Sequence, residues 1–127
     1  MKANELMVGD YVYNHRNWEC PIVEIYKNSA VVIAKHYGEE EFLLSDLRPI
    51  PLTPEILEKN GFKLKEEETG MYGVTTAPHY ICDGVPFEVF CDGEPFAIWF
   101  KEPVNIKFVH ELQDVLRLCG ISKEIEL

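Results

Sequence analysis

Apolar residues in the first fifty positions come in short alternating bursts, the period of half-buried strands. Leu6-Met7-Val8 forms an apolar anchor, Gly9-Asp10 a turn, and Tyr11-Val12-Tyr13 an alternating strand. Pro21 to Tyr26 and Ala30 to Lys35 are β-branched runs separated by the turn Lys27-Asn28-Ser29. Phe42-Leu43-Leu44 follows the turn Tyr37-Gly38-Glu39 as a further strand. Ser45-Asp46-Leu47 reads as one tight helical turn, and Arg48-Pro49-Ile50 as a closing extended piece. Strands this short and this close predict a small, strongly bent antiparallel barrel over residues 1–51.

The period then changes. Thr53 is an N-cap, Pro54 fits the first helical position, Glu55 meets the positive end of the dipole, and Asn60-Gly61 can stop the helix in left-handed conformation. A short joint helix is therefore predicted from about Pro54 to Asn60. Lys63 to Gly70 is a polar segment ending in a turn, and Met71 to Thr76 reads as a strand stopped near Ala77-Pro78. Cys82-Asp83-Gly84-Val85-Pro86-Phe87 and Cys91-Asp92-Gly93-Glu94-Pro95-Phe96 form a tandem repeat whose Asp-Gly pairs signal hairpins. They predict a meander of His79 to Cys82, Phe87 to Cys91 and Phe96 to Phe100. Both faces of the last strand are apolar, Phe96, Ile98 and Phe100 on one and Ala97 and Trp99 on the other, so both should be covered. Phe108, Val109, Leu112, Val115, Leu116 and Cys119 recur at helical spacing, with Glu111, Gln113, Asp114 and Arg117 read as outward-facing. This predicts a helix from Lys107 to Cys119, entered from Pro103-Val104-Asn105, stopped by Gly120, and covering the meander. Lys123 to Leu127 reads as a short edge strand.

The first half resembles an SH3-like barrel: a Gly-Asp-aromatic-Val first strand, meandering strands, a helical turn and a closing strand. The fold class is thus α+β, an N-terminal SH3-like small β-barrel (1–51) followed by an α+β subdomain (52–127) of joint helix, antiparallel β-meander and packing C-terminal helix. Such barrels host many functions, so the fold selects none.

Charge and composition narrow the field. With 12 Lys and Arg against 22 Asp and Glu the net charge is −10, which opposes phosphate backbones and anionic lipid. No nucleic acid is expected as a direct partner, and no membrane. No apolar run reaches the roughly 20 residues that span a bilayer, and Met1 to Leu6 lacks the pattern of a signal peptide. A cytoplasmic protein with reduced thiols at Cys20, Cys82, Cys91 and Cys119 is the expectation.

Three fragments carry a second resemblance: Lys2-Ala3-Asn4-Glu5-Leu6 with Gly9-Asp10-Tyr11-Val12, then Pro49 to Leu57 with Asn60-Gly61-Phe62, then Ile106-Lys107-Phe108-Val109-His110-Glu111-Leu112-Gln113. Together they resemble a family of small uncharacterised proteins of gut Bacteroidetes, often in prophages and other mobile elements. That family usually has Gln and Asn where this chain has Glu111 and Asp114. The resemblance implies a mobile-element context and brings no activity, cofactor or catalytic residue with it.

Candidate chemistry is sparse. Tyr11, Tyr13, Trp18 and Tyr37 could line an aromatic groove for an extended peptide. His79, Cys82 and Cys91, with Asp83 or Asp92, offer zinc-ligand types but lack paired metal-ligand spacing. No phosphate-cradling glycine loop is present among the eight glycines, and no cysteine and histidine are singled out as a catalytic pair. Glu39-Glu40-Glu41 and Glu66-Glu67-Glu68 read as solvated faces. The expectation is a non-catalytic accessory or adaptor protein without a cofactor that binds another protein. The alternatives are an acidic nucleic-acid mimic that inhibits a DNA- or RNA-binding protein, and a small metal-binding enzyme.

Overall fold

A computed structural model describes residues 1–65, 78–91, 95–100 and 102–127. Among these the fold is mixed α+β, with ten strands in two five-stranded antiparallel sheets and two α-helices. The chain divides into two compact units: Met1–Pro51 with Phe108–Cys119, and Leu52–Lys107 with Gly120–Leu127. No described helix is long and apolar enough to cross a membrane.

The first unit contains β1 (Tyr11–Tyr13), β2 (Glu19–Ile25), β3 (Ser29–Ala34), β4 (Gly38–Leu43) and β5 (Arg48–Pro49), in the order β4-β3-β2-β1-β5. A 3-10 turn at Leu44–Asp46 joins the last two, one residue earlier than the sequence suggests. Alternation places Val12, Cys20, Ile22, Ala30, Val32 and Ala34 on one buried face, where they form a core with Leu6, Leu44 and Leu47. The sheet is open, with β4 and β5 at its ends, so the closed barrel is not formed. Strand β4 is longer than its apolar residues announce. Its pairing with β3 runs from Ser29↔Leu43 to Ala34↔Gly38, and main-chain bonding of this kind is indifferent to Glu39-Glu40-Glu41.

Helix α2 (Val109–Leu118) belongs to this first unit, which corrects the expectation that it covers the meander. Its N-terminus is held by Glu111, whose carboxylate accepts the Phe108 N–H at 3.0 Å, half of a capping box. Val109 N–H donates to Ile50 O at 2.9 Å, and Val109, Leu112 and Leu116 are buried. Gln113 is also buried, at 5% exposure, against the outward placement its polarity suggests. The reason is specific bonding: Gln113 accepts the Tyr11 N–H at 2.9 Å and donates to Gly9 O at 3.1 Å. A side-chain amide with both ends satisfied can be buried at little cost.

The second unit opens with α1 (Pro54–Lys59), bounded as its signals predict. Thr53 accepts the Ile56 N–H at 3.3 Å, and Gly61 takes φ +87° just past the end. Its sheet has the order β10-β9-β8-β7-β6, built from β6 (Lys63–Lys65), β7 (His79–Ile81), β8 (Val89–Phe90), β9 (Phe96–Trp99) and β10 (Pro103–Ile106). The meander strands β7, β8 and β9 agree with the sequence reading. Both flanking strands depart from it: Lys63-Leu64-Lys65 is read there as part of a polar segment, although Phe62 and Leu64 alternate with the two lysines, and Pro103-Val104-Asn105 as a helix approach. Pairing to β7 and β9 makes them strands. Ile98 is fully buried, whereas Trp99 on the opposite face of β9 and Phe100 just beyond the strand are more than half exposed, so the expectation that both faces are covered fails at the Trp99 face. Residues Lys123–Leu127 are not a strand. Ile125 is buried there, and the Asn60 side chain clips the tail, donating to Glu126 O at 2.8 Å and accepting the Glu126 N–H at 2.7 Å. The predicted strand Met71 to Thr76, the Glu66-Glu67-Glu68 run and the Asp92-Gly93 turn lie outside the described residues.

Candidate functional site

The β1–β2 connection is organised by Asn14, a fully buried residue that sequence reasoning passes over. Its side-chain oxygen accepts the N–H groups of Arg16 at 2.9 Å and Trp18 at 3.0 Å, while its own N–H donates to Trp18 O at 3.0 Å. Asn17 completes the loop at φ +61°, a conformation asparagine tolerates better than most residues. An Asn at each end of a four-residue turn is the signal that could have identified it.

This loop delivers Trp18 to Tyr37, which immediately precedes β4. Their rings lie 4.8 Å apart at 33°, and the Arg16 guanidinium sits 5.1 Å from the Trp18 ring and 5.6 Å from that of Tyr37. Both separations are within cation–π range. Arg16 also reaches Glu40 at 3.9 Å, and Tyr37 is 66% exposed. Beside the ledge, Glu39, Glu40 and Glu41 are all exposed on the open edge of the sheet. Burial first, then the carboxylates of Glu19 and Glu40, push the Cys20 thiol up.

Two of the four candidate aromatics therefore meet, and two stand apart. Tyr11 and Tyr13 flank Val12 on β1 and so point to the opposite face from the core residue between them. Tyr13 lies under Arg48 at 5.6 Å.

A second cluster joins residues that the sequence reading kept separate. Asp10 is fully buried; one oxygen accepts the Met7 N–H at 2.9 Å and the other accepts Arg117 Nη1 at 2.6 Å. Arg117 Nη1 also approaches Asp114 at 3.4 Å. Burial, then hydrogen bonding and charge from Asp10, push the Asp114 carboxyl up to about 8, with Arg117 opposing the shift. That shift favours the protonated form of the Asp114 carboxyl beside the Asp10 carboxylate. His110 is buried on the same helix, its ring stacked on Phe108 at 5.8 Å, and desolvation pushes its pKa down. These bonds clasp α2 to the turn that precedes β1.

The zinc-ligand types do not converge. Cys91 extends β8 beyond the His79↔Phe90 pair, its N–H bonded to Pro78 O at 3.1 Å. Cys82 lies past the other end of β7, near Asn60 O at 4.0 Å. His79 and Cys82 are three positions apart along extended chain, about 10 Å at its rise, whereas zinc ligands must meet within about 2.3 Å of one ion. Among the described residues no group of three or more His, Cys, Asp or Glu could hold a metal ion. Asp92 lies outside them.

Comparison with protein-family models, with curated proteins and with solved structures finds no match for this chain.

Proposed function

We propose that this protein is a non-catalytic protein-binding module, and that its partner is an extended, basic segment of another protein. The observation that carries the reading is the pairing of an aromatic ledge, a half-buried Trp18 against an exposed Tyr37, with the open β4 edge that begins one residue later. An edge strand offers unpaired main-chain donors and acceptors to an added strand. Glu39, Glu40 and Glu41 would favour Lys or Arg on the incoming segment, and the ledge would seat a proline or aliphatic residue beside them. The SH3-like reading of this unit and the mobile-element context belong to the same proposal. Support for the former is the β1–β5 pairing, the continuous β1-β2-β3-β4 meander and the 3-10 turn before β5.

Selection of a displayed peptide library against the full chain tests it. The expected result is a consensus with alternating Lys or Arg and a neighbouring proline or aliphatic residue. Its affinity should fall at least tenfold in Trp18→Ala and in Glu39→Lys/Glu41→Lys, and weaken with salt. Absence of any consensus, or a consensus peptide indifferent to both variants, would sink the proposal. Selection of a partner that is itself a nucleic-acid-binding protein, displaced by its nucleic acid, would transfer the weight to the acidic-mimic reading.

A further inference from the structure

The place where a partner segment would lie is already filled by Arg16. Its guanidinium stands 5.1 Å from the Trp18 ring and 5.6 Å from the Tyr37 ring, and those rings are 4.8 Å apart. The three groups form a nearly equilateral triangle, with the cation over both rings. The same guanidinium approaches Glu40 at 3.9 Å, so one side chain covers the ledge and the middle carboxylate of Glu39-Glu40-Glu41.

The neighbouring contacts explain how it arrives there. His15 meets Phe42 with ring centroids 5.1 Å apart, and Arg16 and Trp18 follow onto Glu40 and Tyr37. The β1–β2 loop thus runs antiparallel along β4, on the face that Glu40 and Phe42 share. Glu41, on the other face, accepts the Ser29 hydroxyl at 2.7 Å. The main-chain edge of β4 stays open beside the loop.

Arg16 is held there weakly. Its side chain is 43% exposed and that of Glu40 is 47% exposed. Cation–π contacts and ion pairs at such sites are weak, and salt screens the pair further. Arg117, by contrast, meets a fully buried Asp10 at 2.6 Å and is a fixture of the fold. The main chain at Arg16 is secured separately, because its N–H donates to Asn14 Oδ1 at 2.9 Å. The guanidinium can therefore leave the ledge without unmaking the loop. A cation on two rings beside a carboxylate is also what a basic segment would itself present.

We propose that Arg16 is a resident competitor for the partner site. An extended basic segment binds by displacing its guanidinium, pairs a Lys or Arg of its own with Glu40, and lays its apolar residue on the ring surface set free. This rests on the protein-binding reading and adds to it a self-occupied state. The apparent affinity is then the intrinsic one reduced by the fraction of molecules whose ledge is open.

The test titrates the full chain into a fluorophore-labelled, end-blocked peptide of alternating lysine and valine, followed by anisotropy. Arg16→Gln should bind it about fivefold more tightly than the unaltered chain, the scale of releasing two weak surface contacts. Losing a positive charge would favour a basic peptide by itself, so Arg16→Lys separates the two effects. Lysine keeps the charge without the planar stack, and should tighten binding about twofold. Peptide binding that is unchanged or weakened in Arg16→Gln would overturn the proposal and leave the protein-binding reading standing. Tightening in Arg16→Gln with none in Arg16→Lys would also overturn it, as the mark of charge alone. No binding by the unaltered chain or by either variant would overturn both readings.

Discussion

Asp10 and Arg117, 107 residues apart in the chain, meet at 2.6 Å, and through them the last helix is fastened to the turn that precedes the first strand. The carboxylate is fully buried while the guanidinium is about one-third exposed. Arg117→Met would leave that carboxylate buried without its cation. The expected cost is about 3 kcal/mol, the low end for a broken buried pair because the arginine keeps some water. Urea unfolding of Arg117→Met, Asp10→Asn and the double variant checks it. The double variant should be less damaged than the sum of the singles. Strict additivity would show that the pair is not coupled. Gly9 is part of the same joint: at φ +93° a Cβ there would stand 2.8 Å from Arg117 Nη2, so Gly9→Ala should also destabilise the first unit.

Asp114 makes stability depend on pH in an unusual direction for a carboxyl group. Its folded pKa of about 8 lies above the ordinary value of 3.8, so between those limits the folded state keeps a proton that the unfolded chain has lost. Its contribution is therefore full below about pH 4, declines as pH rises, and is gone above about pH 8. An asparagine at this position can donate to Asp10 at every pH. The stability difference between Asp114→Asn and the unaltered chain should shift in favour of the variant from pH 4 to pH 8, as followed by thermal unfolding. A difference that stays flat over that window would refute the shared proton. His110 acts oppositely: its folded pKa is depressed, so its contribution is present above about pH 6.5 and lost as pH falls.

The second unit has its own clasp. Asn60 donates to Ile56 O and Glu126 O, both at 2.8 Å, and accepts the Glu126 N–H at 2.7 Å. Asn60→Ala should cost about 2 kcal/mol through unmet polar groups. It should also speed hydrogen exchange at the Glu126 amide before it affects the strands of the first unit. Unchanged exchange at Glu126 would show that the tail is held by Ile125 alone.

Thiol chemistry offers a check on burial. Cys119 is exposed, whereas Cys20 is buried and pushed up by desolvation and by Glu19 and Glu40. Since the thiolate is the reactive form, native-state alkylation should label Cys119 first and Cys20 last, with Cys20 labelled only on unfolding. Early labelling of Cys20 would mean that the first core opens locally.

Features set by a few neighbouring residues were legible without a structure. Thr53-Pro54-Glu55 and Asn60-Gly61 mark α1 at both ends, and the alternation of Val12, Ile22, Ala30 and Val32 marks the face that is buried. The ledge was half legible, because aromatic residues can be counted in a sequence, but the loop that brings Trp18 to Tyr37 depends on Asn14 bonding across four residues. Strand β10 and the full length of β4 were not legible, since main-chain pairing leaves no mark on side-chain pattern, while β6 carried only the brief alternation of Phe62 and Leu64 with two lysines. The destination of α2 was hidden for a related reason. An amphipathic stripe declares which face of a helix is buried and says nothing about what covers it. Gln113 and Arg117 look like solvent residues until Gly9, Asp10 and Tyr11 supply bonds to them. Local capping, turn and alternation energies act over a few residues and can be read from the chain alone. Contacts between residues a hundred positions apart depend on which surfaces fit, and that is decided only in the folded state.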